Sequence, residues 1–162
     1  MADKTILQKI VERGHYKFVD SVDSWQEAVK LSCESLAKTG YVSDNYYQQI
    51  VDCIEKYGPY VVFDHYVAMP HSQEGAEGAN QTAVGFMRVK EDVDFGKDED
   101  GEDKIARLFF TLAAKDPNEH LDNMQQLMQI FTNEPLLDAL MAANTPEDIL
   151  KAEANYPPED DM

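Results

Sequence analysis

Basic residues are scarce in this chain. Its 162 residues include only 14 lysines and arginines against 31 aspartates and glutamates, so the formal net charge at pH 7 is −17. Binding to nucleic-acid phosphates or to anionic lipid headgroups needs clustered positive side chains, so this balance argues against both as partners. A basic protein partner remains compatible with the charge.

Long apolar runs are also missing. The most apolar stretch, residues 105–114, is short and contains Arg107. A membrane-spanning helix needs about 20 apolar residues, so we expect this stretch to lie in a protein core. The polar residues at the N-terminus show no signal-peptide pattern, and we therefore expect a cytoplasmic protein.

Cysteine is limited to Cys33 and Cys53, which form no CxxC pair and are too few for a disulfide framework. Both lie on the apolar faces of predicted helices. We expect reduced thiols buried in the core.

The order of helical and extended patterns predicts the fold class. We expect one domain, residues 1–154, followed by an acidic tail, residues 155–162. Helices, then strands, then helices predict an α/β fold, a three-layer-like sandwich in which helices flank a mixed central sheet. A charged connection with eight acids and one lysine is expected over residues 91–103. The predicted helices cover 24–40, 43–57, 116–131, 133–140 and 145–154, and the strands cover 60–63, 66–69, 82–89 and 104–114.

The four histidines are the candidates for chemistry: His15, His65, His71 and His120. A metal site is one hypothesis, but HxxxH and HExxH spacings are both missing. His65 and His71 are six residues apart and would need a turn to bring them together. The residue pattern therefore disfavours a metal site.

His71 follows an extended segment and Pro70, which fixes the backbone direction, and it precedes a glycine-containing loop. This context predicts an exposed imidazole in a rigid setting. With an ordinary pKa near 6.5, much of it is neutral at cytoplasmic pH and can act as a nucleophile. On this local context alone, a surface histidine without function is the favoured interpretation.

His120 lies four residues after Asp116, a candidate N-cap followed by Pro117 at the first helical position. The start of a helix favours a bound anion such as phosphate and disfavours a protonated imidazole. His120 is therefore predicted to be a neutral hydrogen-bonding group, although an exposed first-turn histidine remains an alternative.

An ordered set of segments resembles the enzyme IIA proteins of the phosphotransferase system (PTS), mannitol/fructose class. The Gly-Pro-Tyr and Ala-Met-Pro-His segments are most similar to the ascorbate-type branch. The resemblance spans roughly residues 20 to 150. The matching segments are Gly58-Pro59-Tyr60-Val61-Val62, Val67-Ala68-Met69-Pro70-His71, Trp25-Gln26-Glu27-Ala28-Val29, Tyr46-Tyr47-Gln48-Gln49-Ile50, Leu112-Ala113-Ala114, His120 and Met124-Gln125.

The resemblance implies a cytoplasmic phosphotransferase with a phosphohistidine intermediate. His71 matches the histidine that accepts a phosphoryl group from phospho-HPr through Nε2 and passes it to a cysteine of the cognate IIB. From there the sugar carried by the membrane protein IIC, here L-ascorbate, receives it. His120 matches the histidine that steadies the phosphoryl group. No cofactor or metal is implied.

Two departures from the family pattern concern the site. Mannitol-type members carry an arginine that helps to hold the phosphoryl group, and here an ungapped count places Glu55 there, beside Lys56. Ser72 stands where relatives often have glycine; it is a candidate donor to the phosphoryl group, and an ordinary turn serine explains it equally well. His65 is expected to be peripheral and His15 to lie on the surface.

Two alternative functions stay open, and so does the assembly state. A regulatory IIA-like module would accept phosphate on His71 and signal to a partner, and a fructose- or mannitol-type IIA would serve another sugar. Homodimer formation is compatible with the sequence. HPr-type carriers tend to present a basic rim, so the acidic charge would speed their encounter, although solvated surface explains the acids of residues 91–103 and of the tail more simply.

Overall fold

The computed structural model describes residues 5–63, 65–71, 80–113 and 115–157. Within these ranges the chain forms six helices and five strands. In chain order they are α1 (Ile6–Arg13), β1 (Tyr16–Val19), α2 (Trp25–Lys38), α3 (Tyr46–Tyr57), β2 (Val62–Phe63), β3 (Val67–Ala68), β4 (Ala83–Lys97), β5 (Asp103–Ala113), α4 (Pro117–Phe131), α5 (Glu134–Met141) and α6 (Pro146–Asn155).

The five strands form one mixed, open sheet in the order β1-β4-β5-β3-β2. β4 and β5 pair antiparallel, as do β2 and β3, whereas β1 runs parallel to β4 and β3 parallel to β5. β5 is the central strand, as its apolar density predicts.

Helices cover both faces of the sheet, so the expected α/β fold is confirmed. On one face Phe109 packs in a core with Val29 and Leu36 of α2 and with residues of α3. On the other face Phe110 packs with Leu7 of α1 and with residues of α4, α5 and α6. Adjacent residues of β5 point to opposite faces, which is how one strand serves both cores.

The expected charged connection over residues 91–103 is wrong, because most of it continues the sheet. β4 runs through Lys97, and β5 already begins at Asp103. Val93 and Phe95 are buried between exposed charged neighbours, and Phe95 stacks on Trp25 at 5.6 Å between ring centroids. This alternation is the period-two signal of a half-buried strand, which the density of acids obscured.

The expectation of a surface His15 is also wrong: the side chain is 1% exposed. Gly14 ends α1 in the left-handed conformation, with a φ of 73°, and turns the chain into β1. His15 Nε2–H donates to Thr39 Oγ1 at 2.9 Å, since the Thr39 hydroxyl proton is used on a helical carbonyl. The imidazole also packs edge-on against Tyr41.

Several local predictions are confirmed. The helix predicted from residue 24 begins there, because Ser24 Oγ accepts from Glu27 N and caps α2, while the Glu27 carboxylate accepts from Asp23 N. Both cysteines are buried thiols. Within the described ranges, no helix has the length and apolar character needed to cross a membrane. The division into a domain and an acidic tail stays a prediction, and residues 158–162 lie outside the described ranges.

Candidate functional site

One edge of the sheet collects the residues that the sequence singled out. Ala113 at the end of β5 pairs with Ala83 at the start of β4, because these strands are antiparallel. β3 is parallel to β5 and therefore ends at the same edge. His71, which follows β3, and the start of α4, which follows β5, are brought together there although they are distant in sequence.

The backbone around His71 is held by three hydrogen bonds from different parts of the chain. Met69 N donates to Val61 O at 2.8 Å. Leu112 N donates to Pro70 O at 2.9 Å and so extends the pairing of β3 with β5. The Tyr60 hydroxyl donates to the carbonyl oxygen of His71 itself. The backbone of the histidine is therefore fixed, as expected at a strand end, but the prediction of an exposed imidazole is wrong, because His71 is half-buried beside Tyr60.

The imidazole of His71 is held through its Nδ1 atom, which lies 2.6 Å from Met69 O. A carbonyl oxygen can only accept, so Nδ1 carries the proton and the lone pair is left on Nε2. Burial lowers the pKa of His71 below its ordinary value of 6.5; the Met69 bond opposes this shift and His120 adds to it. A neutral imidazole with its lone pair on Nε2 is a competent nucleophile at neutral pH.

His120 lies in the first turn of α4, where the sequence places it. Asp116 caps the helix by accepting from Glu119 N, and Thr82 Oγ1 accepts from the backbone nitrogens of Lys115 and Asp116 at 2.9 and 2.7 Å. These bonds fix the junction between β5 and α4.

The side chain of His120 is half-buried, and it acts electrostatically on His71, whose pKa it helps to lower. Its Nδ1 atom is buried and has no hydrogen-bond partner among the described residues. A buried polar nitrogen without a partner is costly and therefore uncommon in folded proteins, which marks His120 as a candidate for a functional role.

His65 does not join the site. Its Nε2 lies 2.8 Å from Asp138 Oδ1 on α5, at the end of β3 opposite His71. Five residues lie between the two histidines, and the extended part of this segment, β3, keeps them at its opposite ends. In the parts of the chain described here, no three His, Cys, Asp or Glu side chains are grouped to hold a metal ion.

Other predicted site residues remain without a confirmed role. Ser72 lies outside the described residues. Glu55 and Lys56, at the position of the family arginine, are both exposed near the end of α3. The site therefore has no assigned cation to replace the arginine.

The sequence did not predict the contacts of Tyr60, Thr82 and the Met69 carbonyl. Thr82 and the start of α4 are more than thirty residues apart, and no local periodicity reports such a contact. Tyr60 belongs to the Gly-Pro-Tyr segment that carries the family resemblance, and this was the available signal for it.

A mixed sheet covered by helices, with a nucleophilic histidine at a strand end, is suited to a histidine phosphocarrier. The comparisons with known proteins agree. The family described as "Phosphoenolpyruvate-dependent sugar phosphotransferase system, EIIA 2" matches residues 9–154. The chain belongs to this family and is accordingly a phosphotransferase component that carries phosphohistidine.

Individual proteins of this family are similar to the chain in sequence and in structure. The chain is 31% identical over 142 residues to the ascorbate-specific PTS system EIIA component of Escherichia coli K12, covering 87% of this chain and 90% of that protein. The solution structure of the mannitol-specific cryptic enzyme IIA CmtB from Escherichia coli superimposes with a TM-score of 0.78 at 28% identity, covering 93% and 99% of the two chains.

A third relative was solved with a partner. The complex of mannitol enzyme IIA and phosphorylated enzyme IIB from Escherichia coli matches with a TM-score of 0.71 at 27% identity, covering 87% of this chain and 94% of that chain. These likenesses show that this chain has the fold of mannitol-type IIA domains.

Proposed function

We propose that this protein is the cytoplasmic IIA phosphocarrier of a sugar phosphotransferase system, with His71 as its phosphoryl acceptor. The observation that carries the proposal is the bond from His71 Nδ1–H to the Met69 carbonyl, which leaves the lone pair on Nε2. Phospho-HPr is the donor and a cysteine of the cognate IIB is the acceptor, and the membrane protein IIC is served indirectly. The solved complex of a related IIA with IIB supports the acceptor.

The two transfers are balanced displacements at phosphorus. The Nε2 lone pair of His71 forms a bond to phosphorus while the phosphorus–nitrogen bond of phospho-HPr breaks, and the histidine of HPr leaves with the electron pair. A thiolate of IIB then attacks the same phosphorus, and the Nε2–phosphorus bond breaks. Such transfers depend mainly on positioning and on electrostatic stabilisation of the phosphoryl oxygens.

Burial and the Met69 carbonyl act at different stages of this cycle. Burial lowers the pKa of His71, so the lone pair is available before transfer. Once Nε2 carries the phosphoryl group, the ring gains positive character and its Nδ1–H becomes a stronger donor. The Met69 carbonyl already accepts from that atom at 2.6 Å and therefore stabilises the charged ring.

His120 is proposed to hold the phosphoryl oxygens. It is a neighbour of His71, and its buried Nδ1 lacks a partner among the described residues. Its position in the first turn of α4 adds the positive end of the helix dipole. The hydroxyl of Ser72, next to His71 in sequence, is proposed as a second donor.

Intact-mass measurement after incubation with phosphoenolpyruvate, enzyme I and HPr tests the proposal. The wild-type protein should gain one phosphoryl group, and His71→Ala should gain none. His65→Ala is the matched control, because His65 flanks the same strand but contacts Asp138, and it should still be phosphorylated. A wild-type protein that gains nothing, or an undiminished gain in His71→Ala, would overturn the proposal.

L-Ascorbate is proposed as the transported sugar, because the relative that is 31% identical is named ascorbate-specific. Transfer from the phosphorylated protein to purified IIB proteins of ascorbate, mannitol and fructose systems tests this assignment. The ascorbate IIB should be phosphorylated fastest. A faster transfer to a mannitol or fructose IIB would reassign the sugar, and the absence of transfer to all three would favour a regulatory module.

A further inference from the structure

Tyr60 contacts His71 in two independent ways. Its hydroxyl donates to the carbonyl oxygen of His71, eleven residues further along the chain. Its ring packs against the imidazole, with 5.2 Å between centroids and 86° between ring planes. One side chain therefore holds both the backbone and the ring of the histidine.

The backbone on both sides of Tyr60 is itself fixed. Gly58 ends α3 with a φ of 87°, where its N–H donates to Ile54 O at 2.8 Å. Tyr60 N donates to Gly58 O at 2.8 Å and closes a tight turn around Pro59. The following residue, Val61, is fully buried and accepts from Met69 N. The tyrosine is thus tied to α3 on one side and to the strand leading to His71 on the other.

We infer that Tyr60 is a positioning residue for phosphoryl transfer, which holds the His71 imidazole with Nε2 towards the incoming phosphorus. This inference rests on the proposed function of His71. Two groups restrain the imidazole: Met69 O fixes its Nδ1 end, and the Tyr60 ring limits its rotation. Because the Tyr60 hydroxyl holds the His71 carbonyl, the peptide that carries the imidazole is fixed as well.

The packing of the Tyr60 ring also has an electrostatic consequence. Burial is the main cause of the lowered pKa of His71, and His120 adds to it as the neighbouring titratable group. The Tyr60 ring contributes to that burial by covering part of the imidazole. The same cover keeps water away from one side of the phosphorylated imidazole and slows its hydrolysis.

Two variants separate the contributions of the hydroxyl and the ring. Tyr60→Phe removes the hydrogen bond and keeps the ring, and Tyr60→Ala removes both. Tyr46→Phe is the matched control, because the buried Tyr46 hydroxyl donates to a backbone carbonyl, Leu112 O, at 2.9 Å. The two phenylalanine variants therefore lose the same kind of bond, but only one of these bonds is made to His71.

Rapid-quench transfer from phospho-HPr and an NMR titration of His71 provide the readouts. Tyr60→Phe should slow phosphorylation roughly three- to tenfold at saturating phospho-HPr with an unchanged KM, the effect of one net hydrogen bond. Tyr60→Ala should slow it further, speed phosphohistidine hydrolysis and move the pKa of His71 up towards 6.5. Tyr46→Phe should lower stability and leave the titration as in wild type, and it should slow transfer less than Tyr60→Phe, because its lost bond reaches His71 only through Leu112 and Pro70.

The outcomes separate this inference from the proposed function. Tyr60 variants that transfer within twofold of wild type and leave the His71 titration unmoved overturn the positioning role, as does an equal loss of rate in Tyr46→Phe. A wild-type protein that never becomes phosphorylated overturns the proposed function instead. The NMR titration needs no phosphoryl donor, so in that case an unmoved pKa in Tyr60→Ala would still count against the Tyr60 contact.

Discussion

The carbonyl oxygen of Met69 lies 2.6 Å from Nδ1 of His71, two residues further along the chain. This contact selects the tautomer in which Nε2 carries the lone pair, and Pro70 between the two residues keeps the segment extended. The atom proposed as the nucleophile is thus oriented by a backbone group, and no side chain has to orient the imidazole through Nδ1.

The lowered pKa of His71 predicts a flat pH dependence of phosphoryl acceptance around pH 6.5. Burial disfavours the imidazolium, so a smaller fraction is protonated at any given pH than for an ordinary histidine. The rate of phosphoryl acceptance should therefore stay constant as the pH falls through 6.5 and decline only at lower pH. A pH profile of the transfer rate, with phospho-HPr prepared separately, measures this; a midpoint at or above 6.5 would contradict it.

His120→Ala should still accept a phosphoryl group on His71 but pass it to IIB roughly 10- to 100-fold more slowly. That factor corresponds to the loss of one hydrogen bond to a charged group. Removing His120 also removes one cause of the lowered pKa of His71, so that pKa should rise. Gel assays of reactions quenched at successive times measure the transfer to IIB, and an NMR titration measures the pKa of His71. Normal transfer to IIB would remove the role proposed for His120.

Local signals in the sequence predict both histidines of the site. A proline after an extended segment positions His71, and an N-cap aspartate followed by proline positions His120, so both placements depend only on neighbouring residues. The pairing of β3 with β5 then brings the two together. The contact of Tyr60 with His71 depends on the turn after α3; Gly58-Pro59 predicts a turn there but does not predict which residue the turn brings to His71.

The start of the chain was harder to predict for physical reasons. β1 has four residues, a length at which periodicity carries little information, whereas α1 does carry the signals of a helix, a capping box from Thr5 to Gln8 and Gly14 at its end, which were overlooked. β1 is held by parallel pairing to β4, a contact between residues about seventy positions apart, such as Tyr16 with Phe86. The burial of His15 follows from that pairing and could not be inferred from its neighbours.

Stability should fall in mild acid because His15 is buried and neutral. Burial, with a smaller effect of Arg13, lowers the pKa of His15 from 6.5 to about 4 in the folded protein. Between these values the unfolded state binds more protons, so stability decreases as pH falls from 6.5 to 4, by at most about 3 kcal/mol. Urea unfolding across this range should show a flatter dependence for His15→Gln, whose amide can still donate to Thr39. An identical slope in both proteins would exclude His15 as the cause.

Glu153→Gln should stabilise the protein at neutral and alkaline pH. The Glu153 side chain is 7% exposed; Oε1 accepts from the Thr5 hydroxyl at 2.8 Å, and Oε2 has no partner among the described residues. Burial raises the pKa of this carboxyl in the folded protein, so stability is lost as pH rises through that pKa.

Glutamine keeps an acceptor for Thr5 and carries no charge. The variant should therefore gain about 3 °C in Tm at pH 8, the shift expected for roughly 1 kcal/mol. At pH 4 the gain should shrink because the wild-type carboxyl is then protonated. Differential scanning calorimetry at both values tests this, and an equal shift at the two would contradict a titration effect. Glu147→Gln, at an exposed position in the first turn of α6, is a control for the loss of one charge.

The acidic charge should speed the encounter with phospho-HPr. With a net charge of −17, attraction to a basic carrier raises the association rate at low salt and is screened as salt increases. Glu119 and Asp122 are exposed on α4 beside His120, whereas Glu99 and Asp100 are exposed at the tip of the β4–β5 hairpin.

Neutralising the α4 pair with Glu119→Gln and Asp122→Asn should lower kcat/KM for phospho-HPr and weaken its salt dependence. The same change at Glu99 and Asp100 should have a smaller effect. A rate that is flat between low and high salt, or an equal loss in both double variants, would assign the acidic residues to solubility alone.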